Sequence, residues 1–242
     1  MNSNAYIEMK NMENSHWWFV ARRAIISSQI RKFAKSGMKI LEVGCGTGGN
    51  ILMLRKFGEL KAFEMDLYSL KIAKTIYTKE EFITSGKCPN EIPFLSEKFD
   101  LICLFDVLEH IKEDEDTLLI LKKQLSPNGK IFITVPAYSW LFSAHDLYYH
   151  HHRRYTSRSL KNVIEYSGLK IQKISYFNTF LFPFAIINRV LINFSILNVK
   201  IGLNKPNKLI NWILIKIFSS ERFVLNRNNF PFGLSLLCIV SI

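Results

Sequence analysis

"MKILEVGCGTGGN", residues Met38–Asn50, is the stretch on which the fold turns. An apolar run stops at Gly44, and further glycines follow at Gly46, Gly48 and Gly49. A short apolar run that halts at glycine reads as a buried strand. Glycines behind it allow a tight turn and a close approach to the backbone. "GGNILMLRKFG" (48–58) then reads as a helix closed by glycine. Outward from this unit the alternation repeats. "KAFEMD" (61–66), "EEFITSG" (80–86), "FDLICLFDV" (99–107) and "KIFITVPA" (130–137) read as strands two to five. "LYSLKIAKTIYT" (67–78) and "EHIKEDEDTLLILKKQL" (109–125) read as helices, and Pro127-Asn128-Gly129 as a turn. Strands alternating with helices predict an α/β, Rossmann-like, doubly wound sheet, seven-stranded and mostly parallel. Its ligand site belongs beyond the strand ends, near Glu42-Val43-Gly44.

The flanks extend one domain of 242 residues. Residues 1–36 form an N-terminal segment with a helix over 14–36, and residues 37–177 form the core. In the core, Thr156 caps a helix over 157–167 that Gly168 ends, and "LKIQKISYF" (169–177) is a strand. Residues 229–242 return to the sheet as the last strand, and residues 178–228 are an insertion with helical runs near 183–198 and 207–219. The net charge of +12 is uneven: residues 150–242 hold 13 basic and 2 acidic side chains, amid many Phe, Ile and Leu. That combination suits an anionic lipid surface better than nucleic acid, so peripheral contact with an anionic membrane is expected and nucleic acid is not. Genome-wide enrichment in Lys, Asn and Ile would also produce it. A membrane span needs about 20 apolar residues, and the longest uncharged run here, Ile174–Asn188, has 15 and contains Pro183. An interfacial or lid element fits the insertion, as does an ordinary pair of core-facing helices. The N-terminus lacks a secretory pattern and the four cysteines are scattered, so a cytoplasmic location, at most at the inner face of the membrane, is expected.

Two acids sharpen the reading of the glycine loop. Glu64 ends the second strand, where a carboxylate can accept both hydroxyls of a ribose. Gly49 completes GxGxxG spacing, but Glu42 beside the loop would repel a pyrophosphate and suits an ammonium group.

With these residues in view, the chain resembles class I S-adenosylmethionine-dependent methyltransferases. "ILEVGCGTG", "FEMDLYSLKIAK", "FDLICLFDVLEHI" and "LSPNGKIFITVPAY" are similar to that family's motifs across residues 40–138. The chain also resembles a subgroup, related to methyltransferase type 11, that opens with "HWWFxARR" and carries "HDxxxxHxRRYT" after the fifth strand. The resemblance implies S-adenosylmethionine as methyl donor and S-adenosylhomocysteine as product. It places Glu42, Gly44, Cys45 and Gly46 along the methionine part. Glu64 falls at the ribose, Met65 on the adenine, and Phe105 and Asp106 on the far side of the methionine. Many relatives have an Asp after the third strand. Here Lys87 and Cys88 stand there, which directs adenine recognition to backbone groups.

"HDLYYHHHRRYT", His145–Thr156, follows the fifth strand and so faces the same pocket. His145 or His151 is a candidate general base. Asp146, Arg153, Arg154, Tyr155 and, from the N-terminal helix, Arg22 are candidate acceptor-binding residues, the arginines as an anion clamp. Arg22 and Arg23 are adjacent, so at most one is expected at the site. His145, Asp146 and His150–His152 could ligate a metal, yet a sulfonium donor is electrophilic without one and no cysteine or acidic cluster joins them; no metal is expected. Asp106 and Glu109 also fit a D-x-x-E capping box, and a solvated loop with Tyr155 plugging the core fits the histidine stretch. The expected function is methyl transfer to an amphipathic or anionic acceptor of lipid-linked or saccharide type. The alternative is a silent methyltransferase-fold binding module or membrane-associated partner subunit.

Overall fold

The computed structural model describes residues 3–76, 82–193 and 205–242. Helices α1 (Ser3–Met12) and α2 (Trp17–Ile30) precede strand β1 (Met38–Val43). There follow α3 (Ile51–Leu54), β2 (Gly58–Glu64), α4 (Leu67–Ile76), β3 (Ile83–Ser85), β4 (Phe99–Phe105), α5 (Asp114–Lys123) and β5 (Leu125–Pro136). The chain then runs through α6 (Ala144–Tyr148), α7 (Ser157–Tyr166), β6 (Lys170–Phe177), α8 (Phe182–Asn193), α9 (Lys208–Leu225) and β7 (Ser235–Ser241). The sheet order is β3-β2-β1-β4-β5-β7-β6. All pairings are parallel except those of β7, which runs antiparallel between β5 and β6.

Alternate residues on each strand go to opposite faces, and both faces are buried. Ile40, Leu101, Cys103 and Phe132 join one core with Ile25 and Ile26 of α2 and Phe218 of α9. Leu41, Ile102, Ile131 and Ile133 join the other with Leu118 of α5 and Leu160 of α7. This is why the strands read as continuous apolar runs rather than alternating ones. Each such side chain contributes about 1.5–3 kcal/mol on burial. The order reverses between β1 and β4, and the loops there open at one edge of the sheet.

Several boundaries differ from the sequence reading. The helix after the glycine loop is one turn, α3, because the loop itself occupies residues 44–50. The helix expected from Glu109 begins at Asp114, after a 3-10 turn over Leu108–His110. Pro127-Asn128-Gly129 is not a turn ahead of the strand but a bulge within β5: Leu125 pairs with Phe99 and Lys130 with Leu101. Helix α1 has no counterpart in the sequence reading. Of the two helices expected in the insertion, α8 and α9 are present, and the part of the first expectation over 194–198 lies outside the described residues. No described helix is long and apolar enough to cross a membrane.

Candidate active site

A cavity of about 1020 Å³ lies over the switch point. Its walls come from the glycine loop, the ends of β2 and β4, helices α1 and α2, the histidine stretch and Ala185 of α8.

At one end Gly44, Cys45, Gly46, Glu64 and Met65 line it, as expected. Gly46 has φ +55, and a Cβ there would meet nothing nearer than Met9 Sδ at 3.9 Å. The loop therefore bares its backbone to open space. The Glu64 carboxylate accepts from Gly46 N (2.9 Å) and Asp66 N (3.0 Å). A carboxylate has about four lone-pair sites, so it can still accept ribose hydroxyls. Burial raises its pKa, against the pull of those backbone bonds. Met65 is 63% exposed, an apolar shelf beside that acid. Lys87 and Cys88 line the wall where many relatives have an Asp. A bared glycine backbone, a held acid and an apolar shelf fit the carboxylate-bearing, ribose and adenine parts of S-adenosylmethionine.

Glu42 is corrected. It is buried beneath the loop and is not part of the cavity wall. Its Oε1 accepts from Asn50 Nδ2 at 2.9 Å, while Oε2 has no partner. Burial pushes its pKa up to about 8. It braces the loop through Asn50, which does line the cavity.

The N-terminal helices supply what the sequence reading could not place. Tyr6, Met9 and Glu13 line the donor end, and Glu13 accepts from Thr47 Oγ1 at 2.7 Å. Both Arg22 and Arg23 line the cavity, contrary to the one expected. Arg23 donates to the Glu13 carbonyl. Arg22 is buried, pairs with Asp106 at 2.7 Å, donates to Thr134 Oγ1 at 2.7 Å and lies over the Trp18 ring at 4.9 Å. Thr134 in turn donates to Asp106 at 3.0 Å. Arg22 thus belongs to the donor wall, tying α2 to the ends of β4 and β5. Phe105 and Asp106 line the cavity as expected, but Asp106 is held by these partners rather than by a capping box, and its φ of 57° is in the left-handed region. Such strain persists only where surrounding contacts over-determine it.

At the other end stand His110, His145 and His151, with Glu109 beneath them. His151 Nδ1 is 2.9 Å from Asp146 Oδ1. Asp146 is fully buried, closes a capping box on Ser143 and pairs with Arg154 through both oxygens, at 2.7 and 3.0 Å. Burial alone would raise its pKa; the bonds from His151 and Arg154 outweigh that and hold it well below the carboxylate range. His110 is pushed down to about 3 by burial first and His151 second, while a bond to the His150 backbone opposes both. The two imidazoles meet edge to face, 4.6 Å apart.

The other expected acceptor residues are corrected. Arg153 lies outside the cavity, paired with Asp114 at 2.7 Å and donating to the Lys112 carbonyl. Tyr155 is 2% exposed and donates to Asp114 at 2.7 Å, so it plugs the core. Asp146 is not on the wall, and Arg154 is on it with Nε, Nη1 and Nη2 all donating within the protein. Two buried acids, Asp114 and Asp146, need counter-charges, and the arginines meet that need instead of forming an anion clamp.

The sequence matches the methyltransferase domain family over residues 19–174, more than half of the chain. The chain belongs to that family. It is a class I S-adenosylmethionine-dependent methyltransferase, and the glycine-loop end of the cavity is its donor site. Over 109 residues this methyltransferase is 28% identical to the mitochondrial ubiquinone biosynthesis O-methyltransferase of Schizosaccharomyces pombe, covering 41% of this chain and 38% of that one. It is 29% identical over 106 residues to phosphoethanolamine N-methyltransferase 3 of Arabidopsis thaliana, covering 41% and 21%. The methyltransferase thus aligns with less than half the length of these relatives. A solved S-adenosylmethionine-dependent methyltransferase from Archaeoglobus fulgidus shares the fold, with TM-score 0.54 and 18% identity over 91% of this chain and 94% of that one.

Proposed function

We propose that the enzyme methylates an ionisable group of an amphipathic acceptor of lipid-linked or saccharide type, bound at the histidine end of the cavity. The observation that carries this reading is continuity. One cavity has the glycine loop and Glu64 at one end and His110, His145 and His151 at the other. S-adenosylmethionine supplies a methyl group made electrophilic by its sulfonium. The chain's own residues then have three tasks: to align the acceptor, to exclude water and to manage the acceptor's proton. Trp17, Trp18 and Ala185 supply apolar wall for the first two. His151 supplies the third: Asp146 fixes Nδ1, which leaves Nε2 toward the acceptor end. That one relative is named an O-methyltransferase and another an N-methyltransferase leaves oxygen and nitrogen as the acceptor atoms to test first.

His151→Ala is expected to lose methyl transfer from labelled donor to a membrane extract by about 100-fold or more. It should keep its affinity for S-adenosylhomocysteine, since it touches only the acceptor end. A parallel fall in donor affinity and turnover would make the histidine stretch a structural lid.

We also propose peripheral contact with anionic membrane. Leu209, Trp212, Ile213 and Phe223 of α9 are exposed beside Lys208 and Lys216. Ala185 of α8 joins the cavity wall, so an acceptor arriving from a lipid surface would enter close to it. Co-sedimentation with phosphatidylglycerol vesicles should be strong at low salt and fall in 0.5 M salt, at roughly a 4 Å screening length. Equal sedimentation with neutral vesicles at any salt would remove the electrostatic part.

A further inference from the structure

We propose that Glu109, His110 and His151 hold a divalent first-row transition ion of the zinc class at the acceptor end of the cavity. The inference uses the proposed function only to name that end; the ion can be measured without donor or acceptor.

The first observation is proximity. One potential ligand atom from each residue lies within 4.8 Å of the other two. The second is an unmet need. Glu109 is completely buried, and neither carboxylate oxygen has a hydrogen-bond partner. A buried carboxylate without a partner is costly, and buried polar groups are almost always satisfied. The nearby cations are committed elsewhere: Arg22 to Asp106 and Thr134, Arg154 to Asp146 and the Ala137 carbonyl. Protonation does not resolve the matter, because a neutral carboxyl brings an O–H donor that needs a partner too.

The third observation is preparation of the histidines. A ligating imidazole characteristically gives its other nitrogen to a carboxylate or a backbone carbonyl, which fixes tautomer and ring orientation. His151 does so with Asp146 and His110 with the His150 backbone. Each ring is left with one nitrogen for a ligand. The His152 amide also donates to the Glu109 carbonyl at 2.8 Å, which ties the histidine stretch to the turn that carries Glu109 and His110. Two imidazoles and one carboxylate suit zinc and its neighbours rather than magnesium or calcium. Three protein ligands leave a coordination position, and all three residues line the cavity. An acceptor oxygen there would lose its proton more readily, since such ions lower the pKa of a bound oxygen by several units.

The sequence gave no metal expectation because the ligands considered were confined to residues 145–152. Glu109 and His110 come from a turn after β4 that only the fold brings to His151.

The test uses the full chain, stripped with EDTA and dialysed. Titration with Zn2+ and Co2+ by calorimetry should show one ion per chain, and bound Co2+ should give visible d–d absorption. Zn2+ at about 100 times its Kd should raise Tm by roughly 5–10 °C. Glu109→Gln keeps the shape and removes an unpaired charge, so it should fold; it and His151→Ala should each weaken ion binding 100-fold or more. Absence of stoichiometric binding, or wild-type affinity in Glu109→Gln, overturns the site. Ion binding without methyl transfer to any extract would sink the proposed function and leave the site standing. Methyl transfer undiminished in EDTA, with no ion bound, would do the reverse.

Discussion

A Gly46→Val chain is expected to fold and to bind S-adenosylhomocysteine at least about 100-fold more weakly than wild type. The effect has two parts that act on different measurements. Gly46 has φ +55, a conformation that costs an L-residue about 1–2 kcal/mol and is worse for a β-branched one. This strain is present with and without ligand, so it appears as a lower Tm and not as lost affinity. The affinity loss comes from volume. A Cβ at Gly46 enters open space, with only Met9 Sδ within 4 Å. That space is the cavity, and two further methyl groups there stand where the donor must meet the loop. Gly46→Ala separates the two parts: it carries most of the strain and little of the bulk, so its affinity should fall less than its stability suggests. Glu64→Ala should also weaken binding, by removing the acceptor for ribose hydroxyls. Calorimetry with melting curves on all three decides the matter. Wild-type affinity in both Gly46→Val and Glu64→Ala would mean that the donor does not lie on this loop.

The glycine loop shows why so much of the fold was legible. Its reading rests on local facts: an apolar run, a change to glycine, then an acid at the next strand end. Parallel strands buried on both faces advertise themselves as apolar runs, and β1, β2, β4 and β5 were placed on that signal. The seven strands and the late insertion follow the same logic, helped by the family resemblance. The misjudged elements lack such signals. Helix α1, "SNAYIEMKNM", has a weak apolar stripe and no acid in its first turn. It is held by what it meets, Thr47 and Gly49 through Glu13 just beyond its end, where a Cβ on Gly49 would sit 2.7 Å from Glu13 Oε2.

The site divides the same way. Gly44, Cys45, Gly46, Glu64, Met65, Phe105 and Asp106 line the cavity because strand ends fix them, and strand ends can be found in a sequence. The histidine stretch was placed at the right end of the cavity, but its side chains could not be assigned. Arg153, Arg154 and Tyr155 look like an anion clamp when read alone. They serve Asp114 and Asp146 because those acids are buried, and burial of a particular acid is a tertiary fact. The same holds for Glu109. Spacing from Asp106 suggested a helix cap, whereas the fold sends Asp106 to Arg22 and leaves Glu109 unpaired beside two histidines.

Glu221→Ala is expected to be the most destabilising single truncation outside the hydrophobic core, at about 3–5 kcal/mol. Glu221 is on α9, fully buried, and read as sequence it is an ordinary helix acid among basic neighbours. Its two oxygens accept the backbone N–H groups of Asn178 (2.7 Å), Thr179 (2.7 Å) and Phe180 (2.8 Å), the turn between β6 and α8. That turn cannot satisfy these donors itself: Asn178 has φ 58°, which points successive amides the same way. Truncation leaves the Asn178 and Thr179 amides buried and unbonded, at about 1–3 kcal/mol each. For a chain of this size the loss corresponds to roughly 6–20 °C in Tm. Glu221→Gln is the informative partner. It retains one acceptor oxygen, enough for Thr179 and Phe180, but turns an NH2 group toward the Asn178 amide, so it should recover part of the stability and not all. The consequence reaches the cavity by a definite route. Asn178 and Ala185 line it, and Asn211 of α9 accepts from Trp17 N and donates to the Ser15 carbonyl, both at 2.9 Å. Loosening α9 should therefore impair acceptor methylation at temperatures well below the melt, while the glycine loop, which makes none of these contacts, keeps its donor affinity. Equal losses of donor binding and turnover in Glu221→Ala would mean that the two ends of the cavity fold as one unit, and a change in Tm below about 2 °C would mean that water replaces the carboxylate at no cost.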